Sequence, residues 1–225
     1  MSGKRLEILA NGEIYHVFNK AIANEQIFIK SRLLKHAVDL IEYYRFPQRL
    51  RFSFFRRLPE KQKLEYSSSY HNNNSKLVDI YAFCLMPNHF HLLVKQASHN
   101  GIKTFLSNFQ NSFGKYFNTI TTRSGSVFQK PFKARRVSSD EEFLHLGRYI
   151  HLNPVTSFLT DFKNLGSYPW SSYPTYIKDS TSKNNLVDPS PTLSLTGSRK
   201  KYIKFVENQV DYQRKLQLIK HLTIE

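Results

Sequence analysis

The sequence predicts a mixed α+β domain built on an antiparallel sheet. Three observations carry that prediction: an apolar hairpin at residues 78–94 interrupted only by Pro87-Asn88, a strand-like alternation at Glu13–Phe18, and helical spacings that begin near Ser31, Ile102 and Ser139.

The elements justify themselves in order. Glu13-Ile14-Tyr15-His16-Val17-Phe18 reads as a first strand. Ser31 to about Tyr44 has the spacing of an amphipathic helix that Ser31 is placed to cap. Residues 47–76 change character: Arg49 to Arg57 is basic and aromatic, and Ser67 to Ser75 is a polar Ser/Asn stretch expected as a mobile loop. Residues 78–86 and 89–94 then form the hairpin, with turn chemistry between them. Cys84 sits mid-strand as a small core residue. Ile102 to about Thr119 carries Phe105, Phe109, Phe113 and Phe117 four apart, a spacing that predicts a core stripe. The basic segment Gly125–Val137 is loop-like and ends in a strand. Ser139 or Asp140 caps the following helix, with Glu141 and Glu142 in its first turn, and Pro154 is expected to end it at Asn153.

Composition narrows the partner. Thirty-three Lys and Arg stand against seventeen Asp and Glu, and a formal net charge of +16 makes a polyanion, nucleic acid first, the natural partner. The single Cys excludes an intramolecular disulfide framework. No apolar run is long enough to cross a bilayer and no charged-then-apolar leader opens the chain, so a reducing cytosol is the expected compartment.

Two stretches carry candidate chemistry. Side chains alternate along a strand, so His89 and His91 project together, away from Phe90 and Leu92. Two neutral imidazoles can hold a cation that finds its other ligands elsewhere, although a His-x-His pair also occurs on solvated sheet faces with no metal. In Arg148-Tyr149-Ile150-His151-Leu152-Asn153-Pro154, Tyr149 and Asn153 are four apart and share a helical face, about 6 Å apart along the axis. His145 lies on the same stripe. Each residue has a plain alternative, Tyr149 as a half-buried helix tyrosine and Asn153 as a residue that ends a helix before proline.

Taken together, Leu85-Met86-Pro87-Asn88-His89-Phe90-His91-Leu92-Leu93, the basic segment Gly125–Val137, Arg148 to Val155 and Trp170-Ser171-Ser172-Tyr173 resemble the REP-associated tyrosine transposases of the tyrosine HUH superfamily. The resemblance spans roughly residues 12–177, with a weaker echo at Tyr202-Ile203-Lys204-Phe205-Val206. It implies a ferredoxin-like α+β sandwich, with an antiparallel sheet, helices on one face and a C-terminal helical extension. It further implies that His89, His91 and Asn153 hold Mg²⁺ or Mn²⁺, that Tyr149 is the nucleophile, and that the product is a 5′-phosphotyrosyl DNA with a free 3′-hydroxyl.

Single-stranded or hairpin DNA is the implied partner, and Lys130, Lys133, Arg135 and Arg136 are placed to track its phosphates, unless they form a simple solvated basic loop. Softness alone would equally suit Zn²⁺, and a Zn²⁺ hydrolase or a regulator that binds hairpins without cutting them stay open as alternatives. So do a monomer and a homodimer, since relatives use both. Tyr116 is a second phenol on a helix but lacks an amide four residues on. In domain terms, residues 1–177 are expected as the transposase domain with 47–76 an inserted loop region, 178–196 as a linker, and 197–225 as a basic helical extension.

Overall fold

A computed structural model describes residues 7–72, 75–178 and 186–211. The first strand, β1 (Ile14–Lys20), leads into α1 (Ser31–Tyr44), then the hairpin β2 (Val78–Met86) and β3 (His89–Gln96), then α4 (Gly101–Thr121) and β4 (Lys133–Arg136). Two helices, α2 (Phe52–Phe55) and α3 (Glu60–Asn72), lie between α1 and β2. The four strands form one antiparallel sheet in the order β2-β3-β1-β4, the ferredoxin-like βαββαβ arrangement.

The register sorts side chains to two faces. Val17 stands opposite Leu92, and Phe83 and Leu85 stand opposite Leu92 and Phe90, so these residues share one face with Tyr15 and Val94. That face packs on α1 and α4, and the stripe Phe105, Phe109, Phe113 and Phe117 is buried against it as the spacing predicted. On the other face, Cys84, Met86 and Leu93 meet Phe143 and Ile150 of α5 (Asp140–Thr156). Both faces of the hairpin are therefore covered, which is why residues 80–86 read as one continuous apolar run.

The helix α5 outlasts its proline. Ser139 caps it as expected, its Oγ accepting the Glu142 N–H at 3.1 Å, but it continues through Pro154 to Thr156 instead of stopping at Asn153. An interior proline costs about 3 kcal/mol. Burial of Leu152 and Val155, each contributing about 1.5–3 kcal/mol, offsets that cost, and the Ser157 N–H still reaches the Asn153 carbonyl at 3.0 Å.

Three further expectations are corrected. Ser31 is the first helical residue of α1 and caps nothing. The expected loop at 67–75 is helical as far as Asn72, because Tyr66 and Tyr70, four apart, anchor α3 against Tyr43 and Phe46. The Tyr66 hydroxyl also accepts the backbone N–H groups of Arg49 and Leu50 at 3.1 Å. Within the stretch expected as a linker, residues 190–196 form a helix, α8 (Ser190–Thr196); residues 179–185 lie outside the described residues.

Four short helices follow α5 among the described residues: α6 (Phe162–Leu165), α7 (Tyr173–Ile177), α8 and α9 (Arg199–Glu207). The basic tail docks rather than trails, since Tyr202 and Val206 of α9 are fully buried. The Tyr202 hydroxyl lies 2.7 Å from His151 Nδ1, and His151 Nε2 lies 2.7 Å from Ser172 Oγ. Ser172 in turn accepts the Phe83 N–H at 2.9 Å. A buried polar chain thus ties β2, α5 and α9 into one unit. The part of the expected tail beyond residue 211 lies outside the described residues.

Candidate active site

The site is built on the sheet face that carries α5. His91 stands opposite Phe18 and Cys84, and His89 opposite Lys20 and Met86, so both imidazoles emerge on that face as the alternation predicted. Their rings lie 5.0 Å apart at 87°. The helix brings the phenol to them: the Tyr149 ring meets His91 edge-on at 5.6 Å, within one chain. Tyr149 remains 38% exposed, so its ring can be reached from solvent.

A third histidine joins the group. His16 of β1 places its Nε2 2.9 Å from His91 Nδ1, and its ring lies 6.1 Å from Tyr149. The sequence reading did not single it out, although the alternation at Glu13–Phe18 already put His16 opposite Tyr15 and Val17. What was not legible was the pairing of β1 with β3.

The hydrogen bonds decide which nitrogens are free. Asn88 Oδ1 lies 2.6 Å from His89 Nδ1, and an amide oxygen can only accept, so His89 carries its proton on Nδ1 and its lone pair on Nε2. His91 meets His16 through Nδ1, and in the tautomer where His91 donates that proton its Nε2 lone pair faces outward. Burial and the neighbouring Lys20 lower His89 to about 4, and burial with Arg135 lowers His16 to about 4. His91 falls well below the usual range through burial, His16 and His89. All three are neutral at pH 7, the state a metal ligand requires.

The phenol behaves differently. Burial raises the Tyr149 pKa, while a side-chain hydrogen bond with Asn153 pulls it the other way. Asn153 is 6% exposed and donates through Nδ2 to the Tyr149 carbonyl at 2.9 Å, which leaves its Oδ1 as the acceptor. Among the described residues no group of three or more His, Cys, Asp or Glu side chains is placed to hold a metal. His89 and His91 each present a neutral imidazole on this face, and neutral imidazole nitrogens and amide oxygens are donors that suit a divalent cation.

The other candidates separate. Lys133 and Arg135 stand opposite Phe18 and His16, on the site's face, and Lys133 Nζ lies 5.9 Å from the Phe18 ring. Arg136 stands opposite Tyr15 on the other face, paired with Glu13 at 2.7 Å, and Arg135 pairs with Glu142 at 2.6 Å. Lys130 and Lys133 have no carboxylate partner among the described residues. His145 turns away toward Arg148 and Phe205. Tyr116 packs on His36 beneath the opposite face of the sheet, so it takes no part in this site.

Comparison with known protein families finds a likeness over part of the chain: residues 51–153 match the model of the IS200-like transposase family, a span that holds both β3 histidines, Tyr149 and Asn153 but not His16. Among solved structures, one described as a REP-associated tyrosine transposase bound to a REP hairpin is similar with a TM-score of 0.51 at 15% identity, over 84% of this chain and 94% of that one. At that identity the likeness is one of fold. Comparison with curated protein sequences finds no match. No helix among the described residues is long and apolar enough to cross a membrane.

Proposed function

We propose that this protein is a metal-dependent single-strand DNA transposase that cleaves and rejoins DNA through a 5′-phosphotyrosine, at hairpin-forming ends. The observation that carries the reading is the Tyr149 phenol held against His91 and beside Asn153, on the face where His89 and His91 offer neutral nitrogens. The likeness to a hairpin-bound transposase supports DNA as the partner.

The residues divide the work. Tyr149 Oη attacks the phosphorus; the bond to the 3′-oxygen breaks, and that oxygen leaves as a hydroxyl carrying the proton the phenol gives up. The phosphodiester energy stays in the Tyr149–phosphate link, so a second 3′-hydroxyl can reverse the step and join strands. A Mg²⁺ or Mn²⁺ ion on His89, His91 and Asn153 would supply neutralising charge at the phosphate oxygens. Asn153 holds the phenol in place, and His16 fixes the ring of His91. Lys133, on the same sheet face as His91, would meet the strand's phosphates. Within one chain the His91 and Tyr149 rings lie 5.6 Å apart, which supports attack by Tyr149 at the site of its own chain.

The test is incubation of the purified protein with labelled hairpin DNA from its gene's own flanks and Mn²⁺, read on a denaturing gel. The expected result is a metal-dependent covalent band that disappears in Tyr149→Phe. Tight binding with no adduct on any flank, indifferent to Tyr149→Phe, would instead establish a regulator that binds hairpins without cutting.

A further inference from the structure

A sizeable cavity lies away from the histidines. A half-open groove of about 760 Å³ runs between α1, α2 and α4. These helices cover the sheet face opposite Tyr149, so the groove and the candidate active site lie on opposite sides of the sheet.

Its lining is one-sided in charge. Arg32, Arg51, Arg56, Arg57 and Lys115 all border it, with no Asp or Glu among the lining residues. All five are exposed, and none forms an ion pair with a carboxylate among the described residues. Five cations left unneutralised around one concavity repel one another and focus positive potential into it. The floor reports that field, because burial together with Arg56 and Arg32 lowers His36 to about 4.

The floor also carries planar and amide chemistry. His36, 7% exposed, lies against Tyr116 with ring centroids 3.9 Å apart and the planes tilted by 33°, and its Nδ1 has no hydrogen-bond partner among the described residues. Asn108 and Asn111 face the same space from α4. Rings beside amides inside a cationic rim suit a strand with charged phosphates and flat, hydrogen-bonding bases. An acidic peptide would use the rim and leave the floor idle.

We propose that this groove is a second DNA-binding site, one that grips the phosphates and bases of an unpaired segment flanking the DNA presented to Tyr149. The proposal rests on the transposase reading for the identity of the polyanion. Three of its five cations come from residues 51–57, within the region that sequence alone presented as an inserted loop.

The test uses the full chain and a fluorescein-labelled oligothymidylate with no hairpin, titrated by anisotropy over a range of salt. In an Arg56→Ser/Arg57→Ser/Lys115→Ser variant, the slope of log affinity against log salt is expected to fall by about 2, because each single-strand phosphate contact contributes about 0.7. Adduct formation at saturating hairpin DNA should be unchanged in the same variant. Circular dichroism checks its fold, and bromodeoxyuridine crosslinking of the unmutated chain should mark the peptide containing Tyr116. Unchanged affinity and slope, with crosslinks confined to the Tyr149 side, would overturn the proposal while leaving the transposase reading intact. Equal displacement of the strand by polyglutamate would overturn it in favour of an acidic protein partner. Failure of the wild-type chain to bind either DNA would sink both readings.

Discussion

His16 Nε2 stands 2.9 Å from His91 Nδ1, which makes His16 an outer partner to the imidazole most deeply placed in the site. It turns one nitrogen of His91 inward and the other outward. In a metal site such a partner sets both the tautomer and the ring orientation, and its loss commonly weakens the metal 10–100-fold, roughly speaking. His16→Ala should therefore weaken Mn²⁺ binding, titrated by electron paramagnetic resonance with the metal alone, by about that factor. His16→Gln, which keeps a polar group in reach, should recover part of the loss. Wild-type affinity in His16→Ala would show that His91 is oriented by packing alone.

The buried chain from Tyr202 through His151 to Ser172 couples the C-terminal helix to α5. Tyr202→Phe leaves His151 Nδ1 without its partner in a fully buried setting, at a cost of about 1–3 kcal/mol. Urea unfolding should show a lower midpoint with an unchanged slope. A midpoint within error of wild type would mean that α9 is fastened by apolar contacts alone.

Stability should fall on acidification through His36. Its folded pKa is depressed from 6.5 to about 4 by burial and by Arg56 and Arg32, so between those values the unfolded chain binds more protons. Stability is thus complete above pH 6.5 and is lost as pH drops toward 4. Between pH 7 and pH 5 the His36 share is about 2 kcal/mol at 1.36 kcal/mol per pH unit. His16, His89 and His151 shift in the same direction and add to the wild-type slope. Urea midpoints at pH 7 and pH 5 should lie closer together in His36→Phe; an unchanged gap would show that His36 is charged in the fold.

Two neighbouring cations should part company in DNA binding. Lys133 stands on the site's face with no carboxylate partner among the described residues, whereas Arg136 stands on the opposite face and is paired with Glu13. Lys133→Ala should reduce the salt slope of single-strand binding by about 0.7, the share of one phosphate contact. Arg136→Ala should leave that slope alone and cost no more than an exposed ion pair, about 0–1 kcal/mol of stability. Equal losses from both variants would mean that the strand wraps the β4 edge.

Local periodicity determined most of the elements by itself. Alternation at 13–18 and 89–94, the four-residue spacing of Phe105 to Phe117, and the Ser139 cap each depend on near neighbours, so the chain displays them directly. The pair His89/His91 and the pair Tyr149/Asn153 were legible for the same reason: each sits within one element, where geometry follows from spacing. Where two local signals competed, the reading failed. The polar residues of 67–75 outweighed Tyr66 and Tyr70 on paper, and Pro154 outweighed Leu152 and Val155, because only packing against other elements reveals what a buried ring or aliphatic side chain contributes. Strand pairing and helix docking were decided by the tertiary structure alone. They set His16 against His91, Arg136 on the far face, Tyr202 under His151 and five cations around one groove, relationships that reach across 123 positions in the case of Glu13 and Arg136. Such contacts come from long-range closure of the sheet, and no window of sequence contains both partners.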